Sequence, residues 1–279
     1  DLKLLQWRAL AALARSERAR SHLGELTAER HPDLWAGTVR DGVARGFAAR
    51  LEECVALAGE LPDPDAPPPL GETPRVTAGK ELRKKKDLLV ASGGARVRFS
   101  RKQGLLFVDR DDGLNVPNCL GFEARVDRGT LDGFVPDPAE RARLFSPQFL
   151  QPRRYVEGEL GTELVLTGRL GRGPIGWDCE LTVTGVLAEP TLRLGVRIDN
   201  RTTGWRLRAR FLLPSEVIVH HCTAVREVVH NDAGGFVAFT LVRSCATLRG
   251  DDDAIATPGA SCQGPLEHWF RLGSAGARP

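Results

Sequence analysis

The sequence predicts an α+β protein, in which an N-terminal helical hairpin belonging to a helical bundle precedes a large antiparallel β-sandwich. Three observations predict this class. Apolar residues recur at helical spacing over the first sixty positions, a proline-rich segment follows, and strict two-residue alternation begins near residue 88. We therefore divide the chain into a helical-bundle segment (1–60), a linker (61–86) and a β-sandwich domain (87–279).

The two predicted helices are indicated by apolar stripes of the kind that form a buried helix face. The stripes are Leu2, Leu5, Leu10 and Leu13, then Val39, Val43, Phe47, Leu51 and Val55. Pro32 and Gly37 interrupt the pattern between them. Two helices joined at this point would have too small a core of their own, so we expect a third element to cover them.

The linker is indicated by six prolines within residues 61–74, since such a segment cannot continue a helix and favours extended backbone. Beyond it, VRFS and LLFVD flank RKQG (101–104), and this arrangement predicts a β-hairpin. The segment 191–199 alternates with Leu192, Leu194, Val196 and Ile198 on one side. This alternation is typical of antiparallel strands, and at least eight such strands predict a sandwich.

Composition excludes several classes of protein. A net charge of +3 gives no basis for a nucleic-acid partner. No window has the ~18 consecutive apolar residues of a membrane span. The six cysteines lack the close spacing of a zinc ribbon or a disulfide framework, so we interpret them as buried thiols of a cytoplasmic protein. Because the chain contains no methionine, we interpret it as part of a longer protein.

Two motifs that suggest ligand sites are rejected on context. The segment GRGPIG (171–176) matches a dinucleotide fingerprint, but Pro174 and the strand that follows predict a hairpin loop instead. His220 and His221 resemble metal ligands by type, yet consecutive residues of a strand point to opposite faces and cannot converge on one ion.

A dense cationic stripe is the strongest surface feature. Arg206, Arg208 and Arg210 alternate along one predicted strand, and Arg193 and Arg197 lie on a strand that we predict to be its neighbour. The stripe could contact acidic or sugar ligands. We favour two other interpretations, namely that the stripe is solvated or that it meets carboxylates of a domain outside this chain.

Several stretches resemble glycoside hydrolase family 38, the α-mannosidases, including its mannosylglycerate hydrolase-like branch. They include the "DN" of RIDNRTTGWRLRARF and the closing TPGASCQGPLEHWFRL. In order, the four stretches are 105–138, 197–211, 239–250 and 257–272. A fifth similarity, in the helical part, is His31-Pro32-Asp33 followed by Gly37-Thr38, which resembles the family's His-rich motif with one histidine missing.

The resemblance implies a zinc-dependent, retaining hydrolysis of α-mannosides. It implies that His31 is a zinc ligand and that Asp33 contacts the substrate, although Pro32 departs from the family pattern and His31 could instead simply end a helix in solvent. The nucleophile and the other ligands would lie in an N-terminal catalytic barrel of the same protein, which these residues do not include. We therefore expect the isolated chain to be inactive.

Two other functions stay open. One is a non-catalytic carbohydrate-binding or scaffolding β-sandwich, and the other is an unrelated β-sandwich interaction protein. An aromatic content of 6% with one tyrosine argues against an exposed platform for stacking sugars.

Overall fold

The computed structural model describes residues 70–273, together with the isolated positions 49, 52 and 56, which have helical backbone. Within 70–273, gaps in the description fall at 86, 110–112, 130–133, 135–138, 214–217, 222–224, 232–233, 246, 250–253 and 257–261. The helical hairpin predicted for 1–60 lies outside this part of the chain.

The predicted α+β class is wrong for the part of the chain that the structure describes. Between residues 70 and 273 the described segments contain one α-helix, α1 (Gly79–Lys84), and a 3-10 turn at Pro147–Phe149. All other regular structure is antiparallel β-sheet. The period-two patterns therefore predicted the described fold, whereas the helical periodicity concerned residues that lie outside it. Among the described residues, no helix is long and apolar enough to cross a membrane.

The largest sheet has seven strands. They are β1 (Arg75–Ala78), β8 (Gln151–Glu157), β9 (Gly161–Arg172), β10 (Ile175–Val186), β11 (Leu192–Asn200), β13 (Ile218–His221) and β18 (Gly264–Leu272). Their order in the sheet is β1-β8-β9-β10-β11-β18-β13. β9 and β10 form a long hairpin that turns at residues 173–174, as predicted for GRGPIG. Strand β1 and helix α1 both lie within the segment predicted as a linker.

A five-stranded sheet faces the first. Its strands are β6 (Leu120–Val126), β7 (Arg143–Phe145), β12 (Trp205–Phe211), β14 (Val225–Asn231) and β15 (Gly234–Ser244). Their order is β14-β15-β12-β6-β7, which places β12 at the centre. β11 and β12 are consecutive in sequence but belong to different sheets, so the prediction that they are neighbours in one sheet is wrong.

Two smaller sheets complete the described fold. One contains β2 (Asp87–Ala91), β3 (Ala95–Ser100), β4 (Gly104–Asp109) and β5 (Asn115–Val116), and the other pairs β16 (Thr247–Arg249) with β17 (Ala254–Ala256). The predicted hairpin around RKQG is confirmed, because β3 and β4 pair from Ser100↔Gly104 outward.

The two large sheets pack face to face across one apolar core. Phe211 of β12 lies 5.1 Å, centroid to centroid, from Phe270 of β18, and Trp177 of β10 lies 6.4 Å from Trp205 of β12. These aromatic pairs are tilted or edge-to-face, which are favourable arrangements for two aromatic rings in contact. The same apolar cluster continues into β2, β3 and β4 through residues such as Phe99.

A buried arginine and carboxylate cluster as candidate functional site

The cationic stripe predicted on β12 is real and occupies one face of the five-stranded sheet. Leu207 and Phe211 enter the core with no exposed surface. Arg206, Arg208 and Arg210 alternate with them and lie on the opposite face, as strand geometry requires.

The expectation that these arginines are solvated is wrong for two of them. Arg206 is 6% exposed and Arg208 is 7% exposed. Aromatic rings cover part of this face: the Arg206 guanidinium lies 4.2 Å from the ring centroid of Phe134, and that of Arg210 lies 4.0 Å from Phe236. A guanidinium over a ring face is attracted by the ring quadrupole, and the attraction strengthens where water is excluded.

Glu123 of β6 is the carboxylate shared by three of the arginines. Its Oε1 accepts from Arg208 Nη2 at 2.5 Å and from Arg125 Nε at 3.1 Å, while Oε2 lies 3.8 Å from Arg210 Nε. Burial acts to raise the pKa of Glu123. The hydrogen bond and charge of Arg208, aided by Arg125, outweigh it and hold that pKa below its ordinary value. Glu123 is therefore ionised at neutral pH.

Asp127 forms a second ion pair on the same face. Arg243 Nε donates to Asp127 Oδ2 at 2.6 Å and its Nη2 donates to Oδ1 at 3.3 Å, a two-pronged geometry that only arginine provides. Asp127 also accepts from the backbone N–H of Gly129 at 2.9 Å. Burial, together with the Asp127 carboxylate, raises the pKa of the adjacent Cys245 thiol to about 12, so this thiol is inert.

A register shift between β12 and β15 brings these groups together. Arg206 pairs with Arg243 and Arg208 with Thr240, so the partner strand advances by three residues where β12 advances by two. Such a bulge changes which residues share a face. As a result, Arg206 Nε donates to Thr240 Oγ1 at 3.1 Å. Burial and then the positive charge of Arg208 lower the pKa of Arg206 to about 9, which still leaves it protonated at neutral pH.

We refer to these residues together as the arginine cluster. Its members are Arg125, Arg206, Arg208, Arg210, Arg243, Glu123 and Asp127. Its chemistry is that of fixed, paired charges. Glu123 cannot act as a general acid near neutral pH because its pKa is lowered, and both carboxylates are held by guanidinium groups. The cluster therefore joins β6, β12 and β15 electrostatically and has no feature of a catalytic pair.

The "DN" at the end of β11 is also ordered by buried polar contacts. Asn200 has no exposed surface, and its Oδ1 accepts from Trp177 Nε1 at 2.9 Å and from Thr202 Oγ1 at 2.9 Å. Its Nδ2 donates to the carbonyl of Cys262 at 2.9 Å. Asp199, by contrast, pairs with the exposed Arg201. The segment fixes the turn where the chain crosses from one sheet to the other.

The predicted site residues His31 and Asp33 lie outside the described residues. Arg193 and Arg197 are on β11 in the seven-stranded sheet, so they are not part of the arginine cluster, and Arg193 pairs with Glu189 at 2.6 Å. In the part of the chain that the structure describes, no group of three or more His, Cys, Asp or Glu side chains could hold a metal ion.

Glu123 and Asp127 were not among the predicted site residues, although the sequence contains a signal for them. The segment LGFEARVD (120–127) alternates apolar and charged residues with the same period as β12. Opposite charges on two such strands indicate cross-strand pairing.

Comparison with known protein families gives no match for this chain, and comparison with curated proteins gives none. Solved structures do resemble it. An α-mannosidase from Enterococcus faecalis matches with a TM-score of 0.52 and 15% identity, over 67% of this chain and 29% of that one. A glycosyl hydrolase family 38 protein from Enterococcus faecalis matches with a TM-score of 0.52 and 16% identity, over 67% of this chain and 30% of that one.

At this identity the likeness is one of fold, and this chain spans less than a third of each neighbour's length. The predicted resemblance to family 38 is thus supported at the level of fold. The mannosylglycerate hydrolase-like detail stays a prediction.

Proposed function

We propose that this chain is the C-terminal portion, without the nucleophile, of a zinc-dependent retaining α-mannosidase-type glycoside hydrolase that acts on α-mannosides. The observation that carries the proposal is the likeness of fold to α-mannosidase structures over 67% of the chain. The order of the sequence stretches that resemble family 38 supports it independently.

The chemistry of the described residues agrees with a supporting role. A retaining glycosidase needs two carboxyl groups about 5–5.5 Å apart, one of which must be protonated to act as the acid. The buried carboxylates of the arginine cluster are ion-paired instead, and the pKa of Glu123 is lowered. We therefore assign the nucleophile and the acid to an N-terminal barrel of the parent protein.

Zinc would serve in that parent protein to orient and polarise the sugar hydroxyls. We propose His31 as one ligand and Asp33 as a substrate contact, on the strength of the sequence resemblance alone. Replacing His31 by Ala in the full-length protein should lower its zinc content and its activity together. Unchanged zinc stoichiometry would remove His31 from the proposed site.

The direct test measures hydrolysis of a nitrophenyl α-mannoside by this chain and by the full-length protein, each with added zinc. We expect turnover only by the full-length protein. Sustained turnover by the chain alone would show that its own residues are catalytic. It would overturn the assignment of the nucleophile and the acid to an N-terminal barrel. An inactive full-length protein that binds mannosides would favour a carbohydrate-binding or scaffolding role.

A further inference from the structure

We propose that the outer face of the seven-stranded sheet carries a carbohydrate-binding site, in which a pyranose ring of a glycan stacks on Trp269. This inference does not depend on hydrolysis by the parent protein, because it rests on a different surface from the arginine cluster and needs no catalytic residue.

The first observation is how the indole of Trp269 lies. Trp269 of β18 pairs with Gly195 of β11, and a Cβ added to Gly195 would lie 2.8, 2.9 and 3.1 Å from Cη2, Cζ3 and Cζ2 of the indole. An edge-on approach would separate these three distances much more than that. The near-equal values mean that the face of the six-membered ring, not its edge, lies over Gly195. Glycine at 195 is thus what allows the ring to lie flat on the sheet.

The second observation is that this is the outer face of the sheet. Gly195 alternates with Leu194 and Val196, which point into the core. One face of the six-membered ring is therefore covered by the backbone of β11. The indole Nε1 is buried and has no hydrogen-bond partner among the described residues, so the partial exposure of Trp269 belongs to the rest of its side chain. A flat aromatic ring with its free face turned away from the sheet is the surface on which the C–H groups of a pyranose stack.

The third observation is the polar rim. The adjacent pair on the same two strands is Arg197 and Glu267, and both are exposed. On the other side lie Arg271 and Arg193, of which Arg193 is held by Glu189. Guanidinium and carboxylate groups beside an aromatic floor are suited to the vicinal hydroxyls of a sugar, because one donates and the other accepts.

A sugar fits this arrangement better than a charged or purely apolar ligand does. The rim carries both signs of charge. With Arg193 paired to Glu189, Arg197 and Arg271 stand against Glu267, and the surplus of one positive charge at the protein surface is screened by water and salt. A single ring on an open sheet face buries little apolar area. The low aromatic content noted above is no obstacle, since one tryptophan provides the floor for one pyranose ring.

The experiment is an NMR titration of the whole chain with a linear α-linked mannotriose, with myo-inositol as a polyol that lacks a pyranose ring. The chain has five tryptophans and so gives up to five indole N–H signals, of which that of Trp269 is assigned by its loss in Trp269→Phe. We expect saturable shifts of the Trp269 indole signal and of two backbone amide signals, those of Gly195 and of Thr182, its pairing partner on β10. These shifts should appear with the trisaccharide only.

The variants separate binding from folding. Trp269→Ala should weaken binding at least tenfold, and Arg197→Ala, at an exposed rim position, several-fold with unchanged stability. Phe149→Ala is the control, because Phe149 is 68% exposed and lies away from this face, so its loss should leave binding unchanged. If no signal near Trp269 moves at about 100 mM sugar, or if Trp269→Ala and Arg197→Ala bind as wild type does, the proposal is wrong.

Discussion

Replacing Glu123 by Gln should destabilise the protein more than any exposed charge change, because one buried carboxylate serves three arginines. The Glu123 side chain is 5% exposed, and those of Arg208 and Arg210 are 9% and 20% exposed. Gln keeps the shape and one acceptor oxygen, but it places an N–H₂ group among guanidinium donors and removes the negative charge.

The size of the expected loss in unfolding free energy follows from the buried arginine charges that remain without their carboxylate. Breaking a buried ion pair by removing one partner costs about 3–5 kcal/mol, since the remaining charge stays buried. Gln can still accept one hydrogen bond, so we expect a loss near the lower end, about 3 kcal/mol in the free energy of unfolding. Asp178→Asn is the matched control. Asp178 pairs with Arg169 at 3.1 Å on an exposed strand face, with side chains 54% and 45% exposed, and its loss should cost less than about 1 kcal/mol.

Acid titration gives a second readout of the same variant. The pKa of Glu123 is lowered on folding from its ordinary value of 4.5. A carboxyl with a depressed folded pKa stabilises the protein above its unfolded pKa, and this contribution is lost as the pH falls through the folded pKa. The difference in unfolding free energy between wild type and Glu123→Gln should therefore be full at neutral pH and shrink as the pH drops below 4.5.

The assay is urea unfolding followed by tryptophan fluorescence at several pH values. Equal losses for Glu123→Gln and Asp178→Asn would refute the account of the arginine cluster as a buried, mutually dependent network. A large loss for Glu123→Gln that does not change with pH would mean that the N–H₂ group placed among guanidinium donors, and not the lost charge, dominates at this position.

Two further substitutions test the core and the turn between sheets. Phe211→Ala should lower the free energy of unfolding in urea by about 3–5 kcal/mol, because Phe211 has no exposed surface and contacts Phe239 and Phe270. A loss below about 1 kcal/mol would mean that the orientation assigned to β12 is wrong. Asn200→Ala should lower the free energy of unfolding by about 3 kcal/mol, because buried donors of Trp177 and Thr202 lose their acceptor. The Trp177 indole N–H signal should also shift in the NMR spectrum. An unchanged signal would contradict the hydrogen bond from Trp177 Nε1 to Asn200 Oδ1.

The strands could be predicted from the sequence, but the assembly of strands into sheets could not. Alternation at 192–198 and 205–211 correctly predicted two strands with one apolar side each. It did not indicate that they join different sheets, because that depends on pairing with β18 and with β6 and β15, far away in sequence. Arg208 meets Glu123 at a separation of 85 residues, and Arg243 meets Asp127 at 116.

The state of the arginines could not be predicted for a related physical reason. The charged side of an alternating strand is ordinarily exposed to solvent, so the pattern predicted a solvent-exposed arginine face on β12. Arginine has a long apolar stem and a guanidinium that can be paired within a dry layer, and whether it is so used depends on what covers the strand. Phe134, which covers Arg206, lies in the connection between β6 and β7, where no periodic pattern indicated a role. The predictions for His31 and Asp33 stay predictions, since the structure does not describe those residues.

The "DN" of residues 199–200 shows what the family resemblance in this region can and cannot mean. Taken as letters, an acidic residue beside an amide suggests a site for a cation or a sugar. In the structure the side-chain amide of Asn200 is hydrogen-bonded to backbone and side-chain groups where the chain crosses between the sheets. Asp199 pairs with a surface arginine. A polar group whose donors and acceptors are already satisfied by the fold has little left to bind a ligand. The similarity of 197–211 to α-mannosidases is therefore information about how two sheets are joined, which is the level at which the solved structures also agree with this chain. Information about the sugar must come from surfaces where polar groups are still open to solvent, and the rim of Arg197 and Glu267 beside Trp269 is one such surface.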